Sequence, residues 1–308
     1  MDKSGVLRLL MLEEEEDDEI LHLILSENGG SRSVHDLFKA RAEEELNSIL
    51  INRHLMKGER KFREFFRLNI QQFNYVLKLV EDKIRCQSCN RVRHPITPAQ
   101  KLAVTLRFMA TRESFRSLEF AFHISQSYIS RIVKQVLKIL CRKLPPILMP
   151  PPNEDVLQEK TKEFWKQWNF PNCSLFYNYK DFFSTVLLAF VDANYKSTVV
   201  DIGSFGKEGD SGSLEKSATG KMLKSENFFP PPSALPNSDI ITPYVMVCDD
   251  AFRLGEHMMK AYDAEKAIFN YRLSQASRIS ENSFGLLSQV LGVFYTPLAI
   301  NPETSQML

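Results

Sequence analysis

The chain has 308 residues, 44% of them apolar, and a formal net charge of +1. That length allows two modest domains or one large one, and that apolar share excludes wholesale disorder. The five cysteines, odd in number and irregular in spacing, exclude a disulfide framework and fit a reducing location.

No apolar run reaches the ~18 residues of a membrane span. The N-terminus turns acidic without a basic stretch before an apolar core, so no signal peptide is expected. Residues 1–40 combine an apolar stripe (Leu7, Leu9, Leu10, Leu12), an acidic run from Glu13 to Glu19 and a Gly29-Gly30 breaker. They read as an acidic, partly disordered leader.

Residues 41–144 form a helical region. From Asp36 to about Arg85, apolar residues recur at three- and four-residue steps in Phe62, Phe65, Phe66, Phe73, Val76, Leu77 and Val80, which predicts core packing. Thr97-Pro98 opens a helix to about Ala110, with Thr97 as cap and proline first. A second helix spans Ser114 to Phe122, and a third, with Ser127 as cap, runs to about Leu144. Residues 97–144 thus fit a helix-turn-helix, with a three-helix pack that does not touch DNA as the other reading. The stretch also holds the chain's charge asymmetry. Lys101, Arg107, Arg112, Arg116, Arg131, Lys134, Lys138, Arg142 and Lys143 stand against Glu113 and Glu119. Such a patch suits a polyanion, and a solvated helix face has the same composition. In the helix-turn-helix reading, Ser127, Ser130, Arg131, Lys134 and Lys138 face DNA.

The prolines between Pro145 and Pro152 mark a linker over residues 145–155. Beyond it, residues 156–308 read as a mixed α/β domain. Glu159–Trp168 is helical. Phe183–Val191 and Lys196–Ile202 are β-rich, joined by a turn at Asp192-Ala193-Asn194. Phe228–Pro236 is a proline-rich loop, Tyr244–Cys248 a short buried strand, Gly255–Tyr262 helical, and Ser274–Val290 a long helix.

Two constellations could hold metal. Cys86-Gln-Ser-Cys89 has ligand spacing with His94 nearby, but a zinc site needs a second ligand pair that the chain lacks. Asp249 follows the strand Tyr244–Cys248, Glu281 lies on a helix, and Asp210 sits in a Gly-rich turn. Carboxylates converging from separate elements are what two-metal phosphoryl transfer requires. Spacing alone leaves exposed carboxylates as the default.

Phe176-Tyr-Asn-Tyr-Lys180, Leu187–Ala193, Val200-Asp-Ile-Gly203, Val247–Leu254, Phe269–Ser274 and Arg278–Gly285 together resemble the PIF/Harbinger transposase-derived nucleases of the DDE superfamily, in that family's order. The resemblance covers roughly residues 60–300. It implies an α+β or α/β chain: a helical region with a helix-turn-helix, then an RNase H-like nuclease domain. It further implies DNA phosphodiester hydrolysis with Mg²⁺ or Mn²⁺, a Myb-like protein partner, and work in the nucleus, with the cytoplasm as a second compartment. By motif, Asp249 and Glu281 take catalytic roles, and Asp210 joins them as a metal ligand.

The sequence also departs from that pattern. The family has a G-x-x-D-G strand bearing the first catalytic Asp between its W-N-F-P-N-C and N-Y-K segments. Here Trp168–Cys173 runs directly into Ser174–Lys180. The expectation is therefore a domain lacking its first, central strand and its first Asp, deleted near 173/174 and short at its C-terminal end. Asp181 and Asp192 are the nearest replacements, though Asp192 ends a strand at its turn. A non-catalytic DNA-binding or adaptor protein is the alternative.

Overall fold

The computed structural model describes residues 51, 55–85, 95–111, 113–170, 173–176, 185–205, 210–224, 228–248, 252–261, 266–295, 300 and 302–308. It divides into two compact units, one of residues up to Lys143 together with Ser288–Leu308, the other Leu144–Leu287.

The first unit is helical, with α1 (Glu59–Phe66), α2 (Ile70–Ile84), α3 (Pro98–Ala110), α4 (Phe115–Phe122) and α5 (Gln126–Lys143). The helical run expected up to Arg85 is broken at Arg67. That residue takes a left-handed conformation (φ 62°), and its N–H closes α1 on the Arg63 carbonyl. Asn69 then restarts the chain. Its side chain accepts from the Gln72 N–H while the Gln72 side chain accepts from the Asn69 N–H, satisfying two otherwise orphaned donors. Thr97 and Gln100 cap α3 in the same reciprocal way with Pro98 in the first turn, as its sequence predicts. Ser114 caps α4 through the Ser117 N–H. Ser127 does not cap α5. The Ile129 N–H donates to the Ser125 carbonyl at 2.9 Å, so the helix starts at Gln126 and Ser127 lies inside its first turn.

Helix α3 is buried on nearly every side, through Leu102, Val104, Leu106 and Phe108 among others, and the remaining helices pack around it. The phenylalanines form the core expected of them. Phe62, Phe66 and Phe73 lie with ring centroids 4.8 to 5.5 Å apart. Truncating either fully buried ring, Phe62 or Phe66, is a change of the kind that costs about 3–5 kcal/mol.

The second unit begins with one helical turn, Pro145–Leu148, inside the expected linker, since proline is tolerated in a first turn. It continues with α6 (Glu154–Trp168), β1 (Cys173–Phe176), β2 (Thr185–Val191), β3 (Ser197–Phe205), α7 (Asp210–Lys216), α8 (Ala218–Leu223), a small ribbon of β4 (Ser233–Ala234) and β5 (Ile241–Thr242), β6 (Val245–Val247), β7 (Met258–Met259) and α9 (Ala267–Val290). The five-stranded sheet has the order β3-β2-β1-β6-β7. Pairing is antiparallel from β3 to β1 and parallel from β1 to β7.

Side chains alternate across this sheet. Leu188, Phe190, Met246 and Cys248 pack with Leu214, Phe228 and Phe252 on one face. Val191, Val245 and Val247 pack with Phe164 of α6 and Leu273, Ala276 and Ile279 of α9 on the other. The unit is therefore a sheet with helices on both faces, a mixed α+β chain overall.

Two expectations are corrected. Of the stretch Gly255–Tyr262, the described part, Gly255–Ala261, is not helical. Met258 and Met259 form β7, because the edge of β6 needs partners: the Met246 N–H donates to the His257 carbonyl and the Cys248 N–H to the Met259 carbonyl, both at 2.8 Å. The sheet is also not cut at its centre. Cys173–Phe176 fills the first-strand position, pairing with β2 on one side and β6 on the other. A short apolar segment beside two hydrogen-bonding edges is drawn into the ladder, since open central edges would leave backbone groups unpaired.

Candidate functional site

Asp249 lies outside the described residues. The chain reaches it directly from Cys248 at the C-terminal end of β6, in the parallel half of the sheet. Asp210 opens α7, and its side chain lies outside the description. Glu281 is exposed on α9, where its neighbours Ile279, Ser280 and Ser283 are buried. The Ser283 hydroxyl donates to the Tyr195 carbonyl at 3.1 Å, which ties this stretch of α9 to the β2–β3 turn. Residue types and helix periodicity put Glu281 on the outer face, while its neighbours hold the helix to the sheet.

Asp192 is placed fully by the structure. Strand β2 runs antiparallel to β1, and β1 parallel to β6, so β2 and β6 run in opposite directions. Val191 is level with Phe176, and Phe176 with Val247, so one residue further along β2 moves away from the C-terminal end of β6. The Asp192 carboxylate is also fully engaged. Its Oδ1 accepts the N–H groups of Asn194 and Lys196, both at 2.9 Å, and its Oδ2 accepts from the Lys160 ammonium at 2.5 Å. Asp192 shapes the β2–β3 turn, where Tyr195 has φ 63°, and pins α6 to it. Its carboxylate is thus committed to the turn and to Lys160, which makes Asp192 a structural residue. Asp201, on β3, accepts the Thr219 N–H of α8 at 3.3 Å and so stabilises that helix's N-terminus.

Among the described residues, no group of three His, Cys, Asp or Glu side chains could hold a metal ion. The described carboxylates therefore do not by themselves compose a divalent-cation site. The Cys86/Cys89/His94 group and Asp181 lie outside the described residues.

The basic segment divides into two populations. Lys101 is buried (4% exposed), and its ammonium donates to the Ile84 carbonyl at 2.8 Å. Lys143 donates to the Leu79 carbonyl at 2.6 Å. Both cations thus satisfy carbonyls in the last turns of α2. Arg107 pairs with Glu113 and lies 4.2 Å over the Phe65 ring, and Arg116 pairs with Glu119. The basic surface expected over the whole stretch is thereby reduced, because these charges serve the fold. Ser127, Ser130, Arg131, Lys134, Lys138 and Arg142 remain exposed on α5, opposite its buried face of Ile129, Ile132, Val133, Val136, Leu137 and Leu140. Nothing along the chain marks Lys101 or Lys160 in advance, since burial of a lysine head depends on which carbonyl or carboxylate the fold brings to it.

Residues 165–307, which open in α6 and take in the whole sheet, match the family model of the DDE superfamily endonucleases. No curated protein and no solved structure matches the chain.

Proposed function

We propose that the chain is a DNA-acting protein of Harbinger transposase descent, whose second unit keeps the form of a DDE endonuclease but is defective in cleavage. The match over residues 165–307 supports the endonuclease class. The observation that carries the defect is β1. Cys173–Phe176 stands at the sheet centre, where the resemblance expects the strand bearing the first catalytic Asp, and it contains no carboxylate.

In the endonuclease form, Asp249 and Glu281 would be catalytic and, with Asp210, would hold Mg²⁺ or Mn²⁺, which would supply water activation and charge neutralisation. Without the first Asp, that set is incomplete. DNA binding is then the working part. Helices α4 and α5 act as a helix-turn-helix, with Ser127, Ser130, Arg131, Lys134 and Lys138 meeting phosphates and bases. A Myb-like protein is the expected partner and the nucleus the expected compartment. The acidic leader, Glu13 to Glu19, would meet a basic surface of that partner, and loss of capture on deletion of residues 1–30 is the expected result.

The test pairs two assays on the full chain. Plasmid nicking in Mg²⁺ or Mn²⁺ should not exceed that of the Asp249→Ala variant, while DNA retention in EDTA should persist and fall steeply with salt. Inserting a G-x-x-D-G strand between Cys173 and Ser174 should create divalent-dependent nicking. Nicking by the unaltered chain that Asp249→Ala abolishes would overturn the claim of a defective site. Absence of DNA retention would overturn the DNA-acting reading as a whole.

A further inference from the structure

On its α7/α8 face, the second unit carries a cavity of about 580 Å³. That lies within the ~300–1,000 Å³ of small-molecule clefts, which combine apolar walls with a few placed polar groups. Leu223, Met246 and Met258 supply apolar wall. Two aromatic rings are already stacked at its edge. Phe229 and His257 lie with centroids 4.2 Å apart and planes 13° from parallel. Phe229 is held in turn by the buried Phe228, edge-on at 5.0 Å. The His257 Nδ1 is 2.7 Å from the Tyr244 carbonyl. A carbonyl can only accept, so Nδ1 carries the hydrogen, and Nε2 is the ring atom left for a ligand.

Lys224 and Arg253 also line the cavity. Lys224 pairs with the Glu215 carboxylate at 2.9 Å. The Glu215 carboxyl is held below its usual range, chiefly by the hydrogen bond from Lys224 and with a smaller contribution from the Arg253 charge. Glu215 is thus an exposed anion paired with Lys224, at the mouth of a cleft that Arg253 also lines and that holds a stacking platform.

We propose that this cavity binds a nucleoside 5′-phosphate, with its base along the Phe229–His257 stack and its phosphate displacing Glu215 from Lys224, beside Arg253 in the same lining. Two sources share that chemistry, a free nucleotide and an unstacked nucleotide of a DNA strand. The second deepens the DNA-acting reading above and rests on it, while the first stands without it.

The experiment titrates the full chain in EDTA with dAMP, adenosine and inorganic phosphate, each competed against a single-stranded oligonucleotide carrying 2-aminopurine. dAMP should bind saturably and more tightly than adenosine or phosphate alone. Phe229→Leu should weaken it roughly 10-fold, the scale of one base–aromatic stack. Glu215→Gln, at an exposed position that is safe for folding, should tighten it by removing the carboxylate that pairs with Lys224 and leaving Glu256 as the cavity's other one. Melting curves verify that each variant is folded. Competition between dAMP and the oligonucleotide assigns the site to a strand, and its absence assigns it to a free nucleotide. Plasmid binding lost while dAMP binding persists would sink the DNA-acting reading alone. The cavity proposal is overturned if folded protein does not bind dAMP, if phosphate binds as well as dAMP, or if Glu215→Gln fails to tighten binding.

Discussion

Replacing Asp192 separates a structural carboxylate from a catalytic one. Its side chain is 3% exposed and that of Lys160 17%, so their pair is shielded from solvent. Asp192→Ala removes the pair and both turn bonds, to Asn194 and Lys196, and leaves the Lys160 ammonium without its carboxylate. Breaking a buried pair by removing one partner costs about 3–5 kcal/mol, much of it the stranded charge. At ~2 kcal/mol per molar urea, the unfolding midpoint should fall by roughly 1.5–2.5 M. Tryptophan fluorescence is a local probe. Both tryptophans, Trp165 and Trp168, lie on α6, and the Trp168 indole N–H donates to the Ala193 carbonyl beside Asp192. Asp192→Ala combined with Lys160→Met should recover part of the loss, since no ammonium is then stranded. Asp192→Asn, which keeps the turn acceptor, should cost less than Asp192→Ala. The reasoning fails if Asp192→Ala unfolds at the wild-type midpoint. It also fails if Mn²⁺ raises the midpoint of the wild type but not of Asp192→Asn, because Asp192 would then be a metal ligand.

Three other outcomes follow from the packing and charge. A Cβ on Gly220 would stand 1.8 Å from the Leu214 carbonyl oxygen, so Gly220→Ala must push α7 and α8 apart; a loss of about 1–3 kcal/mol in thermal unfolding is expected, and an unchanged midpoint refutes the close approach. Arg131, Lys134 and Lys138 replaced together by Ala should weaken DNA binding and flatten its salt dependence, whereas Lys101→Met should cost about 1–3 kcal/mol of stability and leave the salt slope alone; the reverse pattern would reassign α5 to packing. Glu64 and Glu215 have carboxyls held below the ordinary range, chiefly by hydrogen bonds from Lys61 and Lys224, so each contributes stability that is present above its unfolded pKa and lost as pH falls through the lower folded one. NMR titration should place both midpoints below that of free glutamate and return them toward it in high salt; midpoints at the ordinary value would mean that these exposed pairs do not persist.

The sequence by itself determined the features that depend on neighbours along the chain. Threonine before proline with glutamine three residues on specifies the start of α3, because all the groups of that cap lie within one turn. Three- and four-residue apolar spacing specifies the buried face of α5, and two β-rich runs around an Asp-Ala-Asn turn specify the β2–β3 hairpin. The residue types at Asp249 and Glu281 carried the family resemblance, and the match over residues 165–307 agrees at the level of the superfamily.

The tertiary structure alone decided what depends on groups far apart in sequence. Lys101 reads as surface charge, yet it lies buried against a carbonyl 17 residues away. Met258 and Met259 belong to a helical-looking stretch, yet the open edge of β6 makes them a strand. Cys173–Phe176 looks like the scar of a deletion, yet it becomes the central strand because two edges there need hydrogen-bond partners. Asp192 could serve a metal or a turn, and Lys160, 32 residues away, makes it a structural residue. Periodicity and capping encode the local backbone, whereas burial, pairing and charge state are fixed only when distant segments meet and water is removed from between them.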